Sequence, residues 1–231
     1  MALGYPYQRP DYSFIIRGET VTELITPVDT ASLTPVIACG SNGSPAQLAR
    51  KFSNSDEPII ATAIELDDFL CCYSAHIAGY GAIPATLVPY SGVTTSCHMT
   101  WLTQNQLEKM HESEALGVNY KFSKLESISI RSNQHAPLDS AFAYISLHGH
   151  LVDNGTPIAL ADIPLQENGN FPRQNQQTLQ ELTIKKLSLL LSVEEFVLEN
   201  ITNKNIRDQR IQAMKAISQP FKYHGETPIS N

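Results

Sequence analysis

The fold is decided by the stretch Val36-Ile37-Ala38-Cys39-Gly40-Ser41-Asn42, where a short apolar run meets a turn. The apolar residues predict a buried strand that ends at Cys39. Gly40–Gly43 predict a tight turn, because Gly and Asn tolerate positive φ. Ser44 and Pro45 then predict the start of a helix that runs to about Phe52, since serine is a preferred N-cap and proline suits the first helical position.

The Gly40–Gly43 turn is the first candidate ligand site. Consecutive backbone N–H groups in such a turn, just before the positive end of a helix, favour a carboxylate or a phosphate. The same Gly-Ser-Asn-Gly letters also form ordinary turns, so the local pattern leaves both readings open.

A second candidate site lies on the helix predicted for residues 104–116. Thr103 and Gln106 have the spacing of a capping box, and Gly117 is a typical helix end. At about 100° per residue, Glu114 falls on the apolar side of this helix, whereas Glu112 falls on the opposite side. An inward carboxylate costs free energy unless it is paired, and such a group is suited to act as a general base. Fraying of the helix end would instead leave Glu114 in solvent.

The rest of the chain predicts a strand-rich domain between two extensions. Residues 1–34 look like an extended arm with one short strand over 12–16, and residues 35–175 contain the strands and the two short helices. Residues 178–216 have helical periodicity, with an apolar face formed by Leu179, Leu182, Leu190, Val193, Val197 and Ile201. We therefore expect an α+β fold whose domains are 1–34, 35–175 and a C-terminal helical extension, 176–231.

We expect two pairs of strands in the first half of that domain. Residues 58–66 and 69–77 would flank a break at Asp67-Asp68, and residues 83–88 and 94–102 would flank a turn at 89–92. Further strands are predicted over 120–130, 141–151 and 157–163, the last two joined by the turn Asp153-Asn154-Gly155.

Composition narrows the range of partners. The 231 residues carry a net charge of −7 and no basic run, so a polyanion such as nucleic acid is not expected to bind. The apolar runs are too short for a membrane span, and no signal peptide is expected. Cys39, Cys71, Cys72 and Cys97 lack zinc spacing and sit in apolar surroundings, which predicts reduced core thiols in a cytoplasmic protein.

Other catalytic patterns are absent or weak. The sequence has neither a G-x-S-x-G motif nor a G-x-x-x-x-G-K phosphate loop. His148 and His150 have the spacing of a metal pair on one strand face, but a solvated or core-edge pair explains them as well, so no metal is expected. Cys97 and His98 are adjacent on a strand and point to opposite faces, which excludes a nucleophile–base pair.

The order of these features resembles the γ-glutamylcyclotransferase-like family over about residues 35–130. The matching landmarks are Cys39-Gly40-Ser41-Asn42 after a strand, Tyr80-Gly81-Ala82-Ile83-Pro84-Ala85-Thr86, Met110-His111-Glu112-Ser113-Glu114-Ala115, and Tyr120 at the next strand. The chain departs from the family pattern at Cys39, where the family has Tyr, at Gly43, and at His111, where the family often has Asp.

The resemblance implies a small mixed β-barrel of the γ-glutamylcyclotransferase-like type with two short helices. It implies that Cys39, Gly40, Ser41 and Asn42 hold the α-carboxylate of a γ-glutamyl or similar substrate, that Tyr120 lines the pocket, and that Glu114 is the general acid/base. The reaction would close 5-oxoproline and release an amine, and it needs no cofactor or metal.

Two alternatives to an enzyme follow from the same sequence. One is a binding module that holds a small acid without turnover. The other is a protein-interaction module that works through the helical tail, Leu179 to Ala216. A homodimer is compatible with each of them.

Overall fold

A computed structural model describes residues 2–53, 55, 57–167 and 171–229. Its strands are β1 Phe14–Arg17, β2 Thr20–Glu23, β3 Thr34–Ala38, β4 Ile59–Tyr73, β5 Ala85–Leu102, β6 Tyr120–Arg131, β7 Leu138–Ser146, β8 His150–Asp153, β9 Thr156–Pro157, β10 Ala159–Leu160, β11 Leu165–Glu167, β12 Arg173–Gln174, β13 Ser218–Gln219 and β14 Glu226–Pro228. Its α-helices are α1 Pro45–Lys51, α2 Gln104–Ser113, α3 Gln176–Lys186, α4 Val193–Thr202 and α5 Lys204–Met214.

Five strands close into a barrel. The ring runs β3–β5–β4–β6–β7 and returns to β3; the β7–β3 contact is parallel and the other four are antiparallel. The predicted α+β fold with a small mixed barrel is therefore confirmed. Each of the five strands has a ring partner on both sides, and β14 pairs with a part of β6 that β4 does not reach.

The predicted strand pairs were wrong in one respect, because β4 and β5 are each a single long strand. The Asp67-Asp68 pair does not end β4. Asp68 has φ +58° and forms a bulge there, and its carboxylate accepts a hydrogen bond from the N–H of Gly92 at 2.7 Å. A bulge bends a strand and increases its twist without ending its pairing, which is what closure of a small barrel requires.

The strand predicted over 141–151 was also wrong at its centre. Gly149 has φ +78°, and the chain divides there into β7 and β8. The predicted turn at residues 153–155 is confirmed: Asn154 and Gly155 have φ +49° and +81° and join β8 to β9.

Two helices pack on one side of the barrel and share a cluster with it. Leu48 of α1 and Met110 of α2 are fully buried there beside Val36, Leu102 and Phe122. Burying a side chain of this size is worth about 2 kcal/mol, so this cluster fixes both helices against the barrel. As a result, the C-terminal ends of α1 and α2 are neighbours.

The starts and ends of these two helices differ slightly from the predictions. Ser44 occupies the N-cap of α1, but its hydroxyl makes no capping hydrogen bond. Thr103 and Gln106 form the predicted capping box of α2. That helix ends at Ser113 rather than near Gly117, because Ala115 already has a positive φ of 49°.

The arm and the tail both join the barrel. The arm forms a hairpin of β1 and β2, and β1 extends the sheet beside β4. The tail was expected to be helical to about Ala216, but it breaks between α3 and α4, which leaves Leu190 fully exposed instead of on a buried face. After α5 the chain returns as β13 beside β8 and β14 beside β6.

The tail also shares the main hydrophobic core. Leu179, Phe196 and Met214 are fully buried in the same cluster as the barrel residues Leu66 and Met99. All four cysteines are buried and none is in a disulfide, as expected. Within the described ranges, none of the helices has the length and apolarity needed to cross a membrane.

Candidate active site

The predicted anion-binding turn follows β3 directly. Residues Ser41–Gly43 form a single 3₁₀ turn, and α1 begins two residues later. The N–H groups of Gly43 and Ser44 donate to carbonyl oxygens within the turn, at 3.1 and 3.0 Å. The N–H groups of Ser41 and Asn42 donate to no other group in the described part of the chain, so they are available to a ligand.

Glycine is required at position 40 because the arm packs against it. A Cβ on Gly40 would lie 2.2 Å from the Tyr5 hydroxyl and 3.0 Å from the Ala85 Cβ. The Tyr5 hydroxyl accepts a hydrogen bond from the Ala85 N–H at 2.7 Å, and the Gly40 carbonyl accepts one from the Arg9 guanidinium. The N-terminal arm therefore holds the turn in place.

Glu114 lies at the C-cap of α2 and meets the same turn. Its Oε1 accepts a hydrogen bond from Asn42 Nδ2 at 3.1 Å and forms an ion pair with Lys51. The Lys51 ammonium also donates to Asn42 Oδ1 at 2.6 Å. The Glu114 and Lys51 side chains are 16% and 11% exposed, so the inward carboxylate has the partner that its burial demands.

A cavity of about 310 Å³ contains these groups. It is lined by Tyr5, Ile37, Ala38, Cys39, Gly40, Ser41, Asn42, Gln47, Arg50, Lys51, His76, Ala78, Gly79, Tyr80, Pro84, Ala85, Ser113, Glu114, Ala115, Asn119, Tyr120 and Tyr144. The structure thus brings together Cys39, Gly40, Ser41, Asn42, Glu114 and Tyr120, the residues that the sequence singled out. The volume is at the lower end of the range for small-molecule sites.

Tyr120 is anchored by the same backbone unit as Tyr5. Its hydroxyl donates to the Ala85 carbonyl at 2.8 Å, while the N–H of Ala85 is held by Tyr5. Burial is the main cause that raises the pKa of both phenols well above the usual value. Both phenols therefore stay neutral at physiological pH.

The charges around the cavity favour an anionic ligand. Glu114 is matched by Lys51, and Arg50 adds a second, more exposed cation to the lining. His76 stays neutral, because burial, with a smaller contribution from His148, lowers its pKa to about 3. Cations and unpaired backbone N–H groups on one side of a cavity are suited to hold a carboxylate.

Sequence reasoning missed several lining residues, namely Tyr5, Lys51, His76, Tyr80 and Tyr144. Lys51 occupies the last position of a helix that was predicted, but its contact is with a residue 63 positions away. Tyr5 belongs to an arm without strand or helix periodicity. Neither position carried a local signal for the cavity.

The two histidines considered as a metal pair do not share a strand face. Gly149 breaks the strand between them; His148 then contacts Asn119 Oδ1 at 3.2 Å, and His150 is buried. Among the described residues, no three His, Cys, Asp or Glu side chains come together as metal ligands. His111, the third departure from the family pattern, contacts the Tyr144 hydroxyl at 2.7 Å through Nδ1.

Comparisons with known proteins give structural likeness only. No protein-family model matches the sequence, and no curated protein matches it either. Among solved structures, a protein from Arabidopsis thaliana is 18% identical with a TM-score of 0.40, covering 68% of this chain and 87% of that one. A γ-glutamyl cyclotransferase is 12% identical with a TM-score of 0.40, covering 84% of this chain and 92% of that one.

An uncharacterized protein from Homo sapiens is 15% identical with a TM-score of 0.39, and the match covers 84% of this chain and 92% of that one. The chain is therefore similar to γ-glutamyl cyclotransferase and related structures at a distant level. At such identities and TM-scores, these likenesses assign no activity to this chain.

Proposed function

We propose that the chain is a γ-glutamylcyclotransferase-like enzyme that cyclises a γ-glutamyl or similar amino-acid conjugate to 5-oxoproline and releases an amine. The observation that supports this most is the 3.1 Å hydrogen bond between Asn42 and Glu114, which joins the anion-binding turn and the carboxylate in one cavity. A substrate held by the turn would have its reacting atoms close to the base.

The substrate's α-carboxylate would be bound by the free N–H groups of Ser41 and Asn42 and by the positive charge of Lys51. Cys39 and Gly40 would shape the wall beside it, with Tyr120 opposite. Holding the amine and the carbonyl of the same molecule at attack distance supplies much of the rate enhancement for such a ring closure.

Glu114 would act as both base and acid. The α-amine nitrogen attacks the γ-carbonyl carbon, and Glu114 takes the proton that the nitrogen loses. The bond to the leaving amine then breaks, and Glu114 returns that proton to the leaving nitrogen. The new C–N bond closes the lactam, no water is consumed, and neither a metal nor a cofactor takes part.

The Lys51–Glu114 ion pair bears directly on this role. The ammonium occupies Oε1 until a ligand arrives. The substrate's carboxylate would draw the ammonium away from Glu114 and so release the base.

The same ion pair favours the second candidate, a module that binds a small acid without turnover. A carboxylate that stays paired with lysine is a poor base, whereas the lysine would still bind an anion. Product formation separates the two candidates.

The test is turnover of a panel of γ-glutamyl amino acids and γ-glutamyl amides, followed by mass-spectrometric detection of 5-oxoproline. We expect Glu114→Gln to lower kcat by about 100-fold or more, as loss of a general base does. Glu112→Gln is the matched control, because Glu112 is an exposed residue of the same helix. Full activity of Glu114→Gln would refute the catalytic role, and ligand binding without product in the wild type would favour the binding module.

We further propose a cytoplasmic location, since four buried free thiols suit a reducing compartment. The proposed partner is the small-molecule substrate. The charge of −7 argues against nucleic acid as a partner.

A further inference from the structure

Three buried side chains outside the predicted site form a hydrogen-bonded chain that ends at the cavity. Ser146 Oγ lies 2.7 Å from Ser74 Oγ, which lies 2.6 Å from His76 Nδ1. Ser146, Ser74 and His76 are 5%, 0% and 1% exposed. Of the three, only His76 lines the cavity that holds Glu114.

The direction of these hydrogen bonds is fixed by counting protons. Ser146 Oγ already accepts the N–H of His148 at 3.0 Å. If His76 donated from Nδ1 to Ser74, and Ser74 donated to Ser146, the Ser146 hydroxyl proton would have no acceptor in the described part of the chain. A buried donor without an acceptor is costly. The opposite direction moves the one unpartnered proton from the Ser146 hydroxyl to a nitrogen of the cavity lining, where a ligand can accept it, so that direction is favoured.

In the opposite direction every hydroxyl proton has an acceptor. Ser146 donates to Ser74, and Ser74 donates to His76 Nδ1. A neutral imidazole carries one proton, which then has to be on Nε2. Nε2 donates to no group that the structure describes, and it belongs to a residue of the cavity lining.

We infer that His76 is held as the neutral Nε2–H tautomer and donates this hydrogen bond to a carbonyl oxygen of the ligand in the cavity. For an acyl-transfer substrate, this oxygen is the one on which negative charge develops during attack, so the N–H stabilises the tetrahedral intermediate. His76 would then be a catalytic residue and Ser74 a positioning residue. The catalytic part rests on the proposed function; the tautomer and the hydrogen bond to a ligand do not.

The surroundings of His76 suit a donor that keeps its proton. The ring packs edge-on against Tyr120, with 5.3 Å between the centroids. The His148 ring lies tilted by 33° to it, with 5.0 Å between the centroids. Its pKa of about 3 keeps it uncharged. Glu114 therefore carries the proton from one amine to the other, while His76 gives a hydrogen bond and transfers nothing.

The first test is independent of turnover. Long-range 1H–15N NMR of ¹⁵N-histidine-labelled protein identifies which nitrogen of His76 is protonated, with the signal assigned from its loss in His76→Gln. Titration with 5-oxo-L-proline, which offers a carbonyl and a carboxylate, should move the Nε2–H resonance downfield. An Nδ1–H tautomer, no binding of the probe, or binding that leaves this resonance unmoved would overturn the inference.

Ser74→Ala tests the positioning role by the same measurement. Without the Ser74 hydroxyl, Nδ1 loses its donor, so we expect the His76 population to shift towards Nδ1–H. If the Nε2–H tautomer persists unchanged, the hydroxyl chain does not set it.

The second test uses the activity assay of the proposed function. His76→Leu should lower kcat by about 100-fold with little change in KM, as removal of an oxyanion donor does. His76→Gln, which restores an N–H donor, should recover part of that loss. His224→Gln is the control, because His224 is exposed and does not line the cavity, and it should leave kcat unchanged.

The two proposals fail in different ways. A wild type that cyclises none of the conjugates refutes the proposed function, and NMR then still decides whether His76 donates to a ligand. A wild type that cyclises them, together with a fully active His76→Leu, refutes the role of His76 alone.

Discussion

Gly40 and Tyr5 meet in the wall of the cavity, and their contact explains by sterics why position 40 is a glycine. The site for a Cβ on Gly40 is occupied by the Tyr5 hydroxyl, whereas the next ring atom, Cζ, is 3.4 Å away. Tyr5 is 4% exposed and cannot move aside freely. The Tyr5 hydroxyl is therefore the atom that excludes a side chain at position 40.

We expect Gly40→Ala to lower the free energy of unfolding by about 2–3 kcal/mol, because the added methyl group overpacks this contact. In a Tyr5→Phe background the same substitution should cost only about 1 kcal/mol, because the clashing oxygen is gone. Urea denaturation of the wild type, the two single variants and the double variant measures both costs. Equal costs in the two backgrounds would show that the Tyr5 hydroxyl is not the obstacle.

At the scale of elements, the site depends on where strands and helices end. The fully buried Leu48 and Met110 fix α1 and α2 on one cluster, so that the last residue of α1 and the C-cap of α2 come into contact. Local signals predicted both helices, since N-caps and periodicity act over a few residues. The contact itself follows from packing, which those signals do not contain.

Gly149 and Gly155 allow a matched test of how the tail docks on the barrel. Both have positive φ, +78° and +81°, but a Cβ on Gly149 would lie 2.3 Å from the Gln219 carbonyl oxygen of β13, whereas a Cβ on Gly155 meets nothing within 4 Å. Gly155→Ala should cost about 1–2 kcal/mol for the left-handed backbone alone. Gly149→Ala should cost about 2 kcal/mol more, because it also displaces β13.

Urea denaturation gives the two costs, and hydrogen exchange of the β8–β13 amides locates the effect. Faster exchange should be confined to Gly149→Ala. If both variants lose the same stability and retain the same protection, β13 does not pack tightly on β8.

For the whole molecule, the tail is part of the core rather than an appendage. Deleting residues 176–231 removes Leu179, Phe196 and Met214 from the main cluster and β14 from the edge of β6. We expect the remaining chain to lose cooperative thermal unfolding, since one fully buried large side chain alone is worth about 2 kcal/mol against a total of about 10 kcal/mol. A sharp calorimetric transition in the truncated chain would contradict this.

Stability should also depend on pH through three buried histidines. Burial is the main cause that lowers the pKa of His76 to about 3 and of His98 and His150 to about 4, below the usual value of 6.5. Between these values the unfolded chain binds more protons than the folded chain. Their contribution is therefore complete above about pH 6.5 and is lost as the pH falls towards about 4.

Each of these histidines should contribute about 1.4 kcal/mol per pH unit to the slope of the unfolding free energy in that range. Urea denaturation between about pH 7 and about pH 5 measures the slope. His98→Gln should reduce this slope by about 1.4 kcal/mol per pH unit, the contribution of one histidine. An unchanged slope in this variant would mean that His98 takes up its proton in the folded state.

The sequence by itself determined the local elements: the strand that ends before Gly40, the turn that follows it, the starts of helices α1 and α2, and the inward side of Glu114. These features depend on interactions within about ten residues, and periodicity, caps and turn residues report them. The resemblance to the γ-glutamylcyclotransferase-like family also implied the mixed barrel.

Only the tertiary structure decided which side chains meet. Lys51 reaches Glu114 across 63 positions, Tyr5 reaches Ala85 across 80, and Ser146 reaches Ser74 across 72. Contacts of this kind arise when barrel closure and the shared core bring distant segments together, and no local pattern encodes them. The residues alone predicted the Cys39–Asn42 turn and Glu114 as two separate places, and the family resemblance implied that they share a site. The fold brings them into one cavity and adds the arm and His76 to its lining.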